Sequence, residues 1–346
     1  MAWGVPSRER RVLKAGHSSI AVTLPKPWAE AMNLRPGDLI VFDQNDDGAL
    51  YLRPAPVAGT AVAGAPYLVQ AQSFDTPGVL ERLIVGAYRV GHDAIEIRSE
   101  TPLPPERVEE LLSAARKLIG VSVAAQEPNR IVLQNFIDPS KYGLPQLVQR
   151  MKMILIAFLE ESENLLDRRG HSKRLPSLDE ETQRVLSLLV RQLFLASRDW
   201  SLARRIGSPD PRQLLEWRVV VHALQELGGL LSEMADLLDA GRERPAADTA
   251  ALRAHLAELK VGLKAVVDTL VRPSLAEACE AYSQLNALGI SAGESAEKMG
   301  VTARRTGIHA ATIAAQRSAA CLSTLAEVAV DRAVSVGNDA LVTSPA

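Results

Sequence analysis

Aromatic side chains make up only 4% of this 346-residue chain, and their scarcity limits the kind of core it can build. Hydrophobic residues reach 47%, so the interior must be aliphatic, rich in Leu, Val and Ala, a composition that suits helix packing; the length allows two or three domains. Cysteine is scarcer still. Cys279 and Cys321 stand far apart without metal-ligand spacing, which excludes a cysteine-held metal and reads as small buried residues in a reducing compartment. Apolar runs such as Met153–Leu159 and Ile313–Ala315 fall well short of the roughly 18 residues of a membrane span. Met1–Pro6 lacks the apolar core of a secretory leader, so a cytoplasmic protein without membrane insertion is expected. An excess of either charge is also missing. The net charge is −2, so any nucleic-acid contact must come from a local cluster.

Chemistry-bearing arrangements are absent too. There is no P-loop and no glycine fingerprint after a strand. His17, His92, His171, His222, His255 and His309 have no nucleophile or carboxylate in a recognised arrangement. His92 follows a glycine and reads as a solvated loop residue, whereas His222 and His309 read as structural residues within helices. The expectation is a protein that is not an enzyme and holds no cofactor.

What is present begins at Arg8. Four basic residues against one acid, Arg8 to Lys14, run into a Gly-His-Ser-Ser turn. A β-rich run, Ile20–Leu24, stops at Pro25, and a short helix, Trp28–Met32, leads into Leu34-Arg35-Pro36-Gly37-Asp38. Two more strands, Leu39–Asp43 and Ala49–Arg53, flank Asn45-Asp46-Asp47-Gly48, residues that tolerate the positive φ of a tight hairpin. Fewer than about fifty residues of short strands cannot bury a sufficient core alone. The unit therefore needs a partner.

Arg11, Val12, Gly16, Ser18, Thr23-Leu24-Pro25-Lys26 with Trp28, and Leu34-Arg35-Pro36-Gly37-Asp38 resemble, in order and spacing, the AbrB/MazE (SpoVT-AbrB) swapped-hairpin DNA-binding modules. The resemblance implies strand exchange between two chains, a homodimer, and DNA as a partner. The side chains it would place against DNA are Arg8, Arg10, Arg11, Lys14, His17, Ser18, Ser19 and Lys26, since Arg and Lys pair with phosphates or guanine edges and serine hydroxyls reach phosphate. A structural reading stands beside it, in which a charged first strand only keeps a sheet edge soluble. Alternation puts Arg10 with Val12 and Lys14, and Arg11 with Leu13, so one arginine can point inward.

Ala55–Pro66 is small, uncharged and rich in Pro and Gly, which reads as a linker after a first domain spanning 1–56. Residues 66–138 read as a small α+β domain. It comprises strand Tyr67–Gln72, helix Thr76–Val90 with Thr76-Pro77 as cap and first residue, strand Ala94–Arg98, helix Pro104–Ile119 closed by Gly120, and a hairpin of Val121–Gln126 and Arg130–Phe136. Residues 140–336 are helical throughout. Six helices are predicted at Leu144–Arg169, Leu178–Ile206, Pro211–Gly241, Thr249–Val271, Ser274–Gly300 and Val301–Arg332, as two three-helix repeats over about 144–241 and 249–332. The fold class is thus multidomain and mainly α. It comprises an N-terminal swapped-hairpin β module, a small α+β domain, and two tandem antiparallel three-helix bundles.

Leu83-Ile84 with Ala87-Tyr88, Gly91-His92-Asp93, Leu118-Ile119-Gly120, Val132-Leu133-Gln134 and Arg150-Met151, ahead of and within that helical body, resemble the PhoU family of phosphate-uptake regulators in its form with an AbrB-like head. This implies negative regulation of phosphate transport and phosphate-responsive signalling. The implied partners are a phosphate transporter's ATPase subunit and a sensor kinase. The alternative is a protein–protein adaptor whose N-terminal module only dimerises the chain. PhoU-type metal clusters use Glu-x-x-x-Asp on the third helix of each repeat, but the corresponding positions here are Gln225 and Gly229, and Gln316 and Ala320. With amides and small residues where hard oxygen donors would stand, no metal is expected. Glu226 reads as solvated or ion-paired, and Glu160, Glu161, Glu163, Glu180 and Glu181 as solvated faces that could also dock a partner.

Overall fold

A computed structural model describes residues 10–16, 19–44, 50–55, 65–74, 76–167, 172–239, 244–301, 304 and 307–336. The chain forms two compact units, Met1–Val62 and Ala63–Ala346.

In the first unit β1 (Leu13–Ala15) pairs antiparallel with β2 (Ser19–Ala21), and β3 (Ile40–Gln44) with β4 (Leu50–Pro54), as two separate two-stranded sheets. The first hairpin turns at Gly16, whose φ of 76° a side chain would oppose. Between the hairpins lies α1 (Lys26–Ala31), which starts behind Pro25 with Pro27 in its first turn and is capped by Met32, just ahead of Asn33 at φ 52°. It sits two residues earlier than the Trp28 start that the sequence suggests. β2 also stops short of the expected Leu24, because Val22 to Pro25 pair with no strand among the described residues. The Asp38 carboxylate accepts the Arg35 N–H at 2.7 Å, which pins the turn before β3. The expected Asn45–Gly48 turn, and most of the expected Ala55–Pro66 linker, lie outside the described residues.

The second unit is mainly α. Its sheet runs β5 (Tyr67–Gln70), β6 (Ala94–Arg98), β8 (Arg130–Asn135), β7 (Val121–Glu127), with β5 and β6 parallel and the remaining pairs antiparallel. The parallel pair is bridged by α2 (Val79–Arg89), and α3 (Pro105–Arg116) follows β6. β8 alternates strictly between buried and half-buried residues, so Ile131 and Leu133 meet Leu80, Ile84, Tyr88 and Leu111 in one apolar layer. The start of α2 corrects the expected Thr76-Pro77 cap. Gly78 takes φ 82°, so the helix cannot extend back through it and begins at Val79.

Helices α4 (Leu144–Asp167), α5 (Leu175–Ala196) and α7 (Pro211–Asp239) pack on one another, as do α8 (Ala246–Val271), α9 (Leu275–Lys298) and α10 (Ile308–Val336). The two triplets join through α4 on α8 and α7 on α10 and share one continuous core, in which Trp217 and Phe158 are the largest fully enclosed residues. α5 and α8 begin three residues before the expected Leu178 and Thr249, and two boundaries differ more widely. The segment Leu178–Ile206 is not one helix: α5 stops at Ala196, and Asp199 caps a separate α6 (Trp200–Arg205) by accepting the Leu202 N–H at 3.1 Å. The last long helix starts at Ile308, behind Gly307 at φ 80°, rather than at Val301. Among the described residues no helix is long and apolar enough to cross a membrane.

Candidate nucleic-acid interface

Lys14 lies in the middle of β1, opposite Ile20 of β2, while Ser19 is opposite Ala15 at the end next to the turn. Arg10 and Arg11 lead into the strand, and all four of these polar side chains are exposed. None of the three cations has an acidic partner among the described residues. Lys26 lies further along, at the start of α1, and is paired with Glu30 at 3.7 Å with both side chains in water. Arg8, His17 and Ser18, the other expected contacts, lie outside the described residues. The structure thus brings Arg10, Arg11, Lys14 and Ser19 together on or beside one short ribbon and leaves Lys26 already engaged by a neighbour.

The apolar side chains of the same unit are equally uncovered. Ile20 is 77% exposed, Leu39 76%, Val12 64% and Phe42 60%, and none of the unit's described side chains is buried. Arg10 and Arg11 therefore do not sort into an inward and an outward residue within a single chain. The β-branched and aromatic residues on both ribbons stay uncovered, since isolated two-stranded ribbons have no interior of their own.

The remaining chemistry-bearing residues are dispersed. Gln225 and Gly229 are exposed on α7; Gln316 is half-buried near Gly293, and Ala320 is exposed on α10. Among the described residues no three or more His, Cys, Asp and Glu side chains are placed to share a metal ion. Several single-residue expectations need correction. Glu161 is not on a solvated face. It is 1% exposed, takes a hydrogen bond from the Ser172 hydroxyl at 2.6 Å, and pairs with Arg174 at 3.3 Å. Glu163 is partly covered and pairs with Lys260 at 2.7 Å, and Glu181 pairs with Arg150. Cys279 is exposed, whereas Cys321 is buried; burial, with Glu226 beside it, pushes that thiol up to about 11. His222 is exposed, and among the described residues the buried histidine is His255, held below its ordinary pKa by desolvation. His92 is not a free loop residue: its ring lies 4.8 Å from Tyr67 and its carbonyl accepts from Arg191.

Arg191 is the functional-looking residue that sequence reasoning missed. It is 2% exposed on α5, donates to the carbonyls of Tyr88 at 2.7 Å and His92 at 2.9 Å, pairs with Asp93, and lies 4.9 Å over the Tyr88 ring. Its counterpart in the second triplet is Arg332, 4.4 Å over the Trp217 ring and paired with Glu216 at 3.0 Å. Both clamp elements together across the body. An arginine amid an aliphatic helical pattern was the available signal.

With the hairpins and their cations in place, the comparisons with known proteins are consistent with the N-terminal geometry. Residues 13–58 match the MazE antitoxin family, described as "Antidote-toxin recognition MazE, bacterial antitoxin". The first unit is therefore an AbrB/MazE-like domain, placed ahead of a mainly helical body. No curated protein and no solved structure matches the chain.

Proposed function

We propose that this chain is a dimeric, DNA-binding regulator of phosphate uptake, with the AbrB/MazE-like domain as its DNA contact and the two helix triplets as its sensing or relaying body. The observation that carries the reading is the conjunction at the N-terminal unit. Lys14, within the residues matching the MazE family, and Arg10 and Arg11 just ahead of them are exposed next to an apolar surface that one chain leaves unburied. The phosphate part rests on the resemblance of the tandem three-helix arrangement to PhoU. On this reading the protein is a non-enzymatic negative regulator acting on a transporter's ATPase subunit and a sensor kinase. Loss of the protein should raise phosphate uptake and phosphate-responsive gene expression when phosphate is plentiful, and unchanged uptake would remove the phosphate assignment.

A second reading has its own support in the bare apolar ribbons: an adaptor in which the hairpins only hold two chains together. Both readings require the N-terminal unit for assembly. A chain beginning at Tyr67 should run as a monomer in light scattering where the full chain runs as a dimer. A dimer that survives the truncation would move the contact to the body.

A further inference from the structure

Arg89, at the end of α2, is half-buried against α5, yet its only hydrogen-bond partner among the described residues is a neutral hydroxyl. Its Nε and Nη2 donate to Ser187 Oγ at 3.3 and 3.1 Å. A covered guanidinium ordinarily meets a carboxylate, because a hydroxyl offsets little of the cost of removing the charge from water. Three carboxylates on the surrounding helices are engaged elsewhere, Glu81 with Lys117, Glu181 with Arg150 and Glu216 with Arg332. Glu180, one turn before Arg184 on α5, is exposed and has no bond to Arg89 among the described residues.

The neighbourhood adds positive charge instead. Arg82 precedes Arg89 by two turns on the same face of α2. On α5, Ser187 and Arg191 both bond to α2, and Arg184 falls one turn earlier on that stripe, with its Nε buried and unpartnered. Arg218 lies on α7, which packs on α5. Burial first, and then the charges of Arg82 and Arg218, hold Arg89 below the ordinary arginine range. Neither Arg82 nor Arg218 has an acidic partner among the described residues, and both are exposed.

We propose that Arg82, Arg89 and Arg218, with Arg184 behind them, form a binding site for a phosphate-type oxyanion where α2 packs on the first helix triplet. Guanidinium forks match the paired oxygens of a phosphate, and a ligand carrying close to two negative charges relieves the repulsion among several cations better than a single carboxylate does. The ligand is either inorganic phosphate or the phosphoryl group of a nucleotide. The inference does not depend on the regulatory reading above, since the unmatched charges are there whatever the chain controls.

The test is calorimetric titration of the full chain with inorganic phosphate and, separately, with adenosine monophosphate, at constant ionic strength set by chloride. At least one ligand should bind saturably; tighter binding of the monophosphate would identify the source as a phosphate ester, and of inorganic phosphate as the free ion. The double variant Arg82→Gln with Arg218→Gln should weaken that binding at least about tenfold, because each lost charge-assisted contact is a strong one. Its melting temperature in phosphate-free buffer should be unchanged or higher, since repulsion on Arg89 is relieved, which separates lost binding from lost folding. Arg89→Lys, which keeps the charge and loses the fork, should also bind more weakly. Absence of saturable binding by either ligand up to about 10 mM would overturn the proposal. So would equal affinity in wild type and the double variant, which would mark an adventitious ion only.

Discussion

Replacing Arg191 by alanine should loosen the β-sheet layer from the helices beneath it. The side chain is almost fully enclosed and makes two carbonyl hydrogen bonds at 2.7 and 2.9 Å, to Tyr88 and His92, besides its contact over the Tyr88 ring. Truncation leaves the His92 carbonyl without this donor and the Tyr88 carbonyl with the Gly91 N–H at 3.1 Å. Each lost bond to the charged guanidinium is worth about 1–3 kcal/mol, and about 1 kcal/mol of cation–π attraction is forfeited. The Asp93 partner contributes little to this sum, because its side chain is 61% exposed and its charge returns to water. The expected loss is on the order of 3–5 kcal/mol, the range for breaking a buried charged contact. Urea denaturation followed by circular dichroism measures it, and hydrogen exchange should show α2 losing protection before α4 or α7 does. Arg191→Lys should recover only part of the loss, because a single ammonium cannot reach both carbonyls and Asp93 with fixed forks. A loss below about 1 kcal/mol, or one spread evenly over the body, would show that Arg191 is not the clamp.

Two further outcomes follow from buried groups. Tyr88 is enclosed and donates to the Ile119 carbonyl at 2.9 Å, and desolvation raises its phenol from 10.0 to about 12. The folded state therefore holds the proton more tightly than the unfolded chain. The stability this confers is complete below pH 10 and falls as the pH rises through about 12. Denaturation of wild type and Tyr88→Phe across that window should show the wild type losing about 2–3 kcal/mol more than the variant, whereas parallel curves would contradict the shift. A thiol reagent at neutral pH should modify exposed Cys279 quickly and reach Cys321 only after denaturation; two fast thiols in the native protein would refute the burial of Cys321.

The helical body was legible because its signals are local and repeated. Aliphatic periodicity placed α4, α7, α8 and α9 to within a few residues, and proline and glycine marked their ends. Single-residue conformations defeated the same reasoning. Gly78 and Gly307 at positive φ shortened two predicted helices, and Asp199, a capping residue inside an apolar pattern, split a third. Burial was the weakest inference. Glu161 looks like one of a run of surface acids, but its helical position turns it toward Ser172 and Arg174, which are close in space only after α4 and α5 fold back. Arg89, Arg184 and Arg191 were invisible as a group for the same reason, since α2 and α5 are about a hundred residues apart in the chain. At the N-terminal unit the cations and turn residues were readable, whereas the bare state of Val12, Ile20 and Leu39 depends on how the two ribbons fold.

The salt dependence of DNA affinity tests the central claim most directly. Wild type and the triple variant Arg10→Ala, Arg11→Ala, Lys14→Ala should both be dimers, since exposed charges contribute little to folding. If these side chains meet phosphates in both chains of a dimer, wild-type affinity should fall steeply with salt, and the variant's slope of log affinity against log salt should be flatter by about five, at roughly 0.9 per contact. Equal and salt-insensitive affinity in both proteins would contradict DNA binding by this ribbon and leave it as a dimerising element alone.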